Sequence, residues 1–278
     1  MNKYSQKNAN PPIGHSQNDW RLRERGRDYA PALSVRDVPS LGLTARILGH
    51  KTGRVHILFS ELETALFYAL EATPSVIDIR EQFVLPIEQT QAIAGELAIH
   101  HPIDPKTKSL FELTTDFVIT VRLGSQQVDH ARTVKYSGDL AKHRTQQKLE
   151  LERVFWERQG ISWGIITEKD IPAGLVANSR WLHPYFTLAD SPDLTPDILG
   201  RIERVLKPKI IAGKLSLARY AAESDDELGL MPGASLKAVR HFLAIHRWAV
   251  DLDHPINPAK MLVLLNHDAV KGGSDGIP

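Results

Sequence analysis

Three polar side chains carry the chemistry that this sequence suggests first: Glu63, Asp116 and Lys135. Two carboxylates are hard oxygen donors of the kind Mg2+ takes, together with carbonyl and water oxygens. A lysine ammonium beside them neutralises the negative charge that builds when a phosphodiester is attacked. Asp116 lies early in a β-branched, apolar run, Thr114–Leu123, and Lys135 near the end of the next run, in Arg132-Thr133-Val134-Lys135. On a strand, Thr133 and Lys135 face one side and leave Val134 to the core. Plainer roles fit the same residues. Ser60 and Glu63 form an S-x-x-E capping box. Asp116 can simply begin a strand, and Lys135 can guard a strand end. Spacing alone leaves both readings open.

The elements that must position these groups follow from periodicity. Arg54–Phe59 reads as a short strand. Ser60–Leu70 reads as a helix with Leu62, Ala65, Leu66, Ala69 and Leu70 on one face. Val76–Phe83 alternates as a strand. Residues 86–112 carry Pro, Gly and the pair His100–His101, which predicts loop with at most one short helix. Thr114–Leu123 and Val128–Tyr136, separated by Gly124–Ser125, predict a hairpin. Asp139–Gln159 is helical in composition and stops at Gly160, and Ile161–Thr167 is another strand. The order predicts an α/β core with a crossover helix before the last strand.

The texture changes near Pro184, Pro192 and Pro196, so 171–195 reads as a linker. Helices are expected over Pro196–Gly213, bent or split at Pro208, then over Ser216–Leu228 and Ser235–His246. Arg247–Asp253 and Lys260–Asn266 read as two short strands. Helix, turn, helix and hairpin is the order of a winged helix over 196–270, and 271–278 is tail. In Ser235–His246, Leu236, Val239, Phe242 and Leu243 make the apolar face. Lys237, Arg240 and His241 lie off it, placed to meet DNA phosphates and base edges, or a protein partner. Residues 1–30 read as a flexible arm ending in Arg21, Arg23, Arg25 and Arg27: a solvated tail or a phosphate contact.

Composition removes other chemistries. The chain of 278 residues has no cysteine, so disulfides, thiolate zinc, iron–sulfur clusters and cysteine nucleophiles are excluded. Lys+Arg number 34 against 33 Asp+Glu, giving a net charge of +1, so nucleic acid is not held by a chain-wide basic field. The twelve histidines show no H-E-x-x-H spacing, and His241 and His246 read as ordinary surface or core residues. No nucleotide-binding glycine motif and no serine-nucleophile elbow occurs. With no membrane-length apolar run and no apolar leader core, a cytoplasmic protein is expected, nucleoid-associated when assembled.

An acid on one strand and an x-Lys pair on its neighbour is the skeleton of the PD-(D/E)XK nucleases. Longer stretches are more specific. His50–Phe83 (HKTGRVHILFSELETALFYALEATPSVIDIREQF) resembles TnsA, the endonuclease subunit of heteromeric Tns-type transposases. So do Gly26-Arg27-Asp28-Tyr29 with Pro31, Val38-Pro39-Ser40, Thr115-Asp116-Phe117, Val134-Lys135, and Lys148–Arg153 with Trp156. The resemblance covers about residues 26–170. It implies a restriction-endonuclease-like domain over 31–170 followed by a mainly α winged-helix domain. It further implies Mg2+, which Mn2+ can replace, and cleavage at the 5′ ends of a transposon.

Under that resemblance Glu63, Asp116 and Lys135 fall on the catalytic triad. Asp116 and Glu63 are the metal ligands, and Lys135 orients water or neutralises charge. Thr133 stands where most of the superfamily has an acid, so it contributes a backbone carbonyl or hydroxyl. Glu152, on the helix after Lys135, matches a family acid near the metal. The implied partners are transposon-end double-stranded DNA, a TnsB-type DDE transposase that cuts and joins the 3′ ends, and a TnsC-type AAA+ ATPase thought to dock on the C-terminal domain. Two alternatives stand beside this: a stand-alone repair or restriction nuclease, and a non-catalytic adaptor linking DNA to an ATPase.

Overall fold

The computed structural model describes residues 24–32, 44–104 and 108–265. A small antiparallel hairpin, β1 (Ala45–Leu48) and β2 (Val55–Leu58), precedes helix α1 (Glu61–Ala72). Ser60 caps α1 by accepting from the Glu63 N–H at 3.1 Å. The Glu63 carboxylate reaches back to the Phe59 N–H at 3.0 Å and the Ser60 hydroxyl at 2.9 Å. The capping box is therefore real, and it fixes where Glu63 sits.

Strand β3 (Val76–Val84) opens a four-stranded sheet of order β3-β4-β5-β6, with β4 (Thr114–Leu123), β5 (Gln126–Val134) and β6 (Ser162–Ile166). The first three strands are antiparallel. β6 returns parallel to β5 after helix α3 (His143–Arg158), the expected crossover. Residues of β4 alternate between two cores. Phe117, Ile119 and Val121 pack with Leu66, Phe67 and Leu70 of α1, and Val118 packs with Leu151, Phe155 and Trp156 of α3. The sheet is thus covered on both faces, an α/β layering. The one short helix allowed for in 86–112 is α2 (Ile87–Glu96), whose Ile93 and Ala94 bury against the α3 side.

The stretch 171–195, read from its prolines as a linker, instead holds helix α4 (Ala173–Leu182) and a short 3-10 turn, His183–Tyr185. Leu175 and Val176 pack on the sheet's core while Leu182 enters the helical core, so α4 is shared packing rather than a tether. At Gly174 an added Cβ would lie 1.9 Å from the Asp253 carbonyl oxygen, so only glycine admits this approach. Asn178 clamps the same turn: its amide donates to the carbonyls of Leu252 and His254, each at 2.8 Å, and its oxygen accepts from the Ile256 N–H at 2.7 Å.

Helices α5 (Pro196–Ala212), α6 (Leu217–Leu228) and α7 (Ala234–Ala244) form the rest, around Ile202, Leu206, Phe242 and Trp248. α5 runs through Pro208 as one helix. The buried Asp225 carboxylate of α6 caps α7, accepting from the N–H groups of Gly233 and Ser235, both at 2.7 Å. The expected strand pair after α7 does not form among the described residues. A single antiparallel bridge joins Ala249 and Leu265. Residues 261–265 keep a strand-like alternation, with Leu262 and Leu264 on the helical core and Met261 and Val263 exposed, but pair with the 247–253 segment only at that bridge.

Residues 24–30 depart from the expected flexible arm. A 3-10 turn, Gly26–Asp28, is held by the Gly26 N–H donating to Asp78 at 3.0 Å, and the buried Tyr29 donates its hydroxyl to the Glu81 carbonyl at 2.9 Å. Residues 1–23, with Arg21 and Arg23, lie outside the described residues, as do the Val38-Pro39-Ser40 turn and the 271–278 tail.

Candidate active site

The three groups singled out by type and spacing meet at one end of the sheet. The β4–β5 ladder runs in register from Leu123–Gln126 to Phe117–Arg132 and stops there. Beyond it, the Asp116 carboxylate replaces the missing backbone acceptor and takes the Val134 N–H at 2.7 Å. The same oxygen lies 3.1 Å from Lys135 Nζ, which also donates to the Val134 carbonyl at 2.8 Å. Glu63 approaches from the first turn of α1. Its burial, and next the nearby Asp116 charge, push its carboxyl up to about 7.

Glu152 enters from α3. Its carboxylate accepts from the Thr133 hydroxyl and, at 3.3 Å, from the Thr115 hydroxyl, which in turn accepts from the Trp156 indole at 2.7 Å. Burial first, then the Asp116 charge, raise Glu152 to about 7 as well. Burial alone would lower Lys135, but Asp116, Glu152 and Glu63 outweigh it, and its pKa is raised. The Thr133 hydroxyl is therefore committed to Glu152, which leaves the Thr133 carbonyl as its possible contribution to an ion. Both hydroxyls bond the same Glu152 oxygen, Oε2, and the residue lines the cleft.

Two residues that touch this group were given no role by the sequence reading. Lys148, one turn before Glu152 on α3, lines the opening with Phe111, Asp116 and Lys135. Its pKa is lowered by burial, then by Arg144 and Lys135. The i, i+4 spacing from Lys148 to Glu152 was the available signal. Gln82 donates its amide to the Glu63 carboxylate at 3.2 Å, and no sequence rule points to it.

The proposed DNA contacts fare differently. Arg25 is committed to an ion pair, with both guanidinium nitrogens 2.9 Å from Asp129, so it is not a free phosphate ligand. Arg27 and Lys237 are exposed. Arg240 turns inward instead of outward. Its guanidinium lies 3.7 Å over the Tyr185 ring and 4.4 Å from the Trp181 ring centre, and it donates to the Trp181 carbonyl. His241 contacts the Tyr185 carbonyl at 2.8 Å. The basic side of α7 is thus largely spent on anchoring the segment after α4.

Among the described residues no helix is long and apolar enough to cross a membrane. Residues 73–168 match the family described as TnsA-like endonuclease N terminal, and residues 170–252 the family described as TnsA endonuclease C terminal. The transposon Tn7 transposition protein TnsA of Escherichia coli is 36% identical over 241 residues, which cover 85% of this chain and 86% of that protein. By both matched segments and by that identity, this chain belongs to the TnsA endonuclease family.

Proposed function

We propose that this endonuclease hydrolyses the phosphodiester at the 5′ ends of a transposon, with Mg2+ as its cofactor, as one subunit of a heteromeric transposase. The observation that carries the reading is the contact of Asp116 with Lys135 beside the buried Glu63. Among the described residues no group of three or more His, Cys, Asp or Glu is arranged to hold a metal. The donor set is smaller: the carboxylates of Glu63 and Asp116 and the Thr133 carbonyl. These are all hard oxygens, and they suit Mg2+ or Mn2+ with the remaining positions filled by water. The charges agree, since three acids meet Lys135 and, from α3, Lys148, and two of the acids are still driven toward neutrality, as happens where a cation is wanted. When bound, the ion supplies Lewis acidity and a water of lowered pKa.

The protein's own groups then divide the work. Asp116 holds the geometry, fixed by the Val134 N–H. Glu63 completes the oxygen set from a capped helix. Lys135, paired with Asp116, is placed to orient the attacking water or to neutralise charge on the attacked phosphate. Glu152 orients Thr133. The helical half, with one bridge where a wing would stand, is assigned to docking a TnsC-type ATPase, and a TnsB-type transposase supplies the 3′-end chemistry. Asp116→Ala and Lys135→Ala should abolish 5′-end cleavage in an assay with partner proteins and end DNA added stepwise. Joining at 3′ ends should persist. Full 5′ cutting by either variant would overturn the assignment, and cutting of plain duplex by the chain alone would favour a stand-alone nuclease.

A further inference from the structure

Strand β3 breaks its own pattern at Gln82. The residue is buried, is not glycine, and has φ of +51°, a left-handed conformation inside a strand. Glu81 pairs with Phe117 and Phe83 with Thr115, but the register passes over the intervening Gln82 and Asp116. The faces reverse there. Glu81 meets Arg54 and His56 on the α1 side, and Gln82 reaches Glu63 on that same side. Phe83 joins Trp156 on the α3 side. β4 reverses at the opposite residue: Phe117 packs on the α1 side, while the Thr115 hydroxyl bonds Trp156 and Glu152 on the other. A regular strand would keep residues i and i+2 on one face.

We infer that Gln82 is a positioning residue for the two carboxylates: its left-handed backbone opens the ladder opposite Asp116, and its side-chain amide holds Glu63. The inference rests on the metal-site reading above. Glycine or asparagine is the usual occupant of such a backbone. Retaining glutamine makes sense where the amide is needed, because a buried carboxylate oxygen gains most from a donor.

The test separates backbone from amide. Mn2+ binding is titrated calorimetrically onto the full chain without DNA, alongside thermal unfolding in chelator. Gln82→Gly keeps the backbone and loses the amide. It should unfold no earlier than wild type yet bind Mn2+ about tenfold more weakly, near the worth of one hydrogen bond to a charged group. Gln82→Ala should bind as weakly and also unfold earlier, because its Cβ disfavours positive φ. Gln82→Asn tolerates the backbone but is one methylene short of Glu63, so it should follow the glycine variant. If Mn2+ affinity tracks unfolding temperature, with Gln82→Gly binding like wild type, the amide has no positioning role and the inference falls. Asp116→Ala is measured beside them. Unweakened binding there refutes the metal site itself and Gln82's role with it, whereas weakened binding there with normal binding by Gln82→Gly refutes only the latter.

Discussion

Replacing Glu152 with glutamine should make the metal-free protein more stable at alkaline pH, relative to wild type, than at acid pH. Glu152 is 5% exposed, and its carboxyl stands at about 7 against an ordinary 4.5. A carboxyl whose folded pKa is raised contributes stability below its unfolded pKa. That contribution is lost as pH rises through the folded value. At about 1.4 kcal/mol per pH unit, the whole displacement is worth about 3 kcal/mol, of which roughly 2 to 3 falls between pH 5 and pH 8. Glutamine keeps an oxygen to accept from the Thr133 and Thr115 hydroxyls and cannot ionise. Urea unfolding at pH 5, 6.5 and 8, with chelator present, gives the two stability profiles. Wild type should fall away from Glu152→Gln as pH rises, with the divergence centred on the interval from 4.5 to about 7. Parallel profiles would refute the claim that Glu152 is held toward its neutral form by burial and by Asp116.

Other outcomes follow from single contacts. Glu81→Gln should destabilise the fold by about 3–5 kcal/mol in denaturant unfolding, because it strands the buried Arg54 guanidinium; its pH dependence is opposite to that of Glu152. The Glu81 carboxyl is lowered to about 2, so wild type loses this contribution as pH falls from 4.5 toward 2. Gly174→Ala should cost about 1–3 kcal/mol, since the new methyl meets backbone at Asp253 and not a side chain that can swing away. Arg240→Met should loosen the 181–185 segment, seen as faster amide exchange there, and leave the salt dependence of DNA binding unchanged. A shallower salt slope would restore Arg240 as a phosphate contact.

Much of this arrangement was legible in the sequence for identifiable reasons. The S-x-x-E box placed Glu63 because capping is local chemistry that depends on a few adjacent residues. Strand alternation separated Thr133 from a core-facing Val134, and in the structure Thr133 bonds Glu152 while Val134 lies in the core on the α1 side. Failures came where tertiary partners decide. Prolines at 184, 192 and 196 suggested a linker, yet α4 precedes them and is fixed by packing on both cores. Arg25 and Arg240 looked like free cations, and only the fold reveals Asp129 and the Trp181–Tyr185 pair waiting for them. The near-continuous apolar texture of Lys260–Asn266 imitated a strand whose partner offers one bridge. Gln82 could not be found at all, because its defining property is a backbone angle that glutamine does not advertise.

Three of the buried glutamates in the sheet half, Glu63, Glu81 and Glu152, show how partners at similar depth separate structure from function. Glu81 is completely buried, and burial alone would raise its carboxyl. Two Arg54 nitrogens and the His56 ring bond to it, and it ends up at about 2. Its charge is matched one to one, which is the condition for a buried ion pair to serve as scaffold. Glu63 and Glu152 are almost as buried but share Lys135 with Asp116, neither is paired with a cation of its own by a salt bridge, and both end at about 7. Residue type and depth are common to all three, so the opposite displacements come from the partners alone. A fold selected only for stability would replace such under-compensated acids with neutral side chains, as the Glu152→Gln comparison measures. Their presence together at the broken end of the sheet, where β3 and β4 both reverse their faces, is therefore an argument for a positive charge that arrives with function.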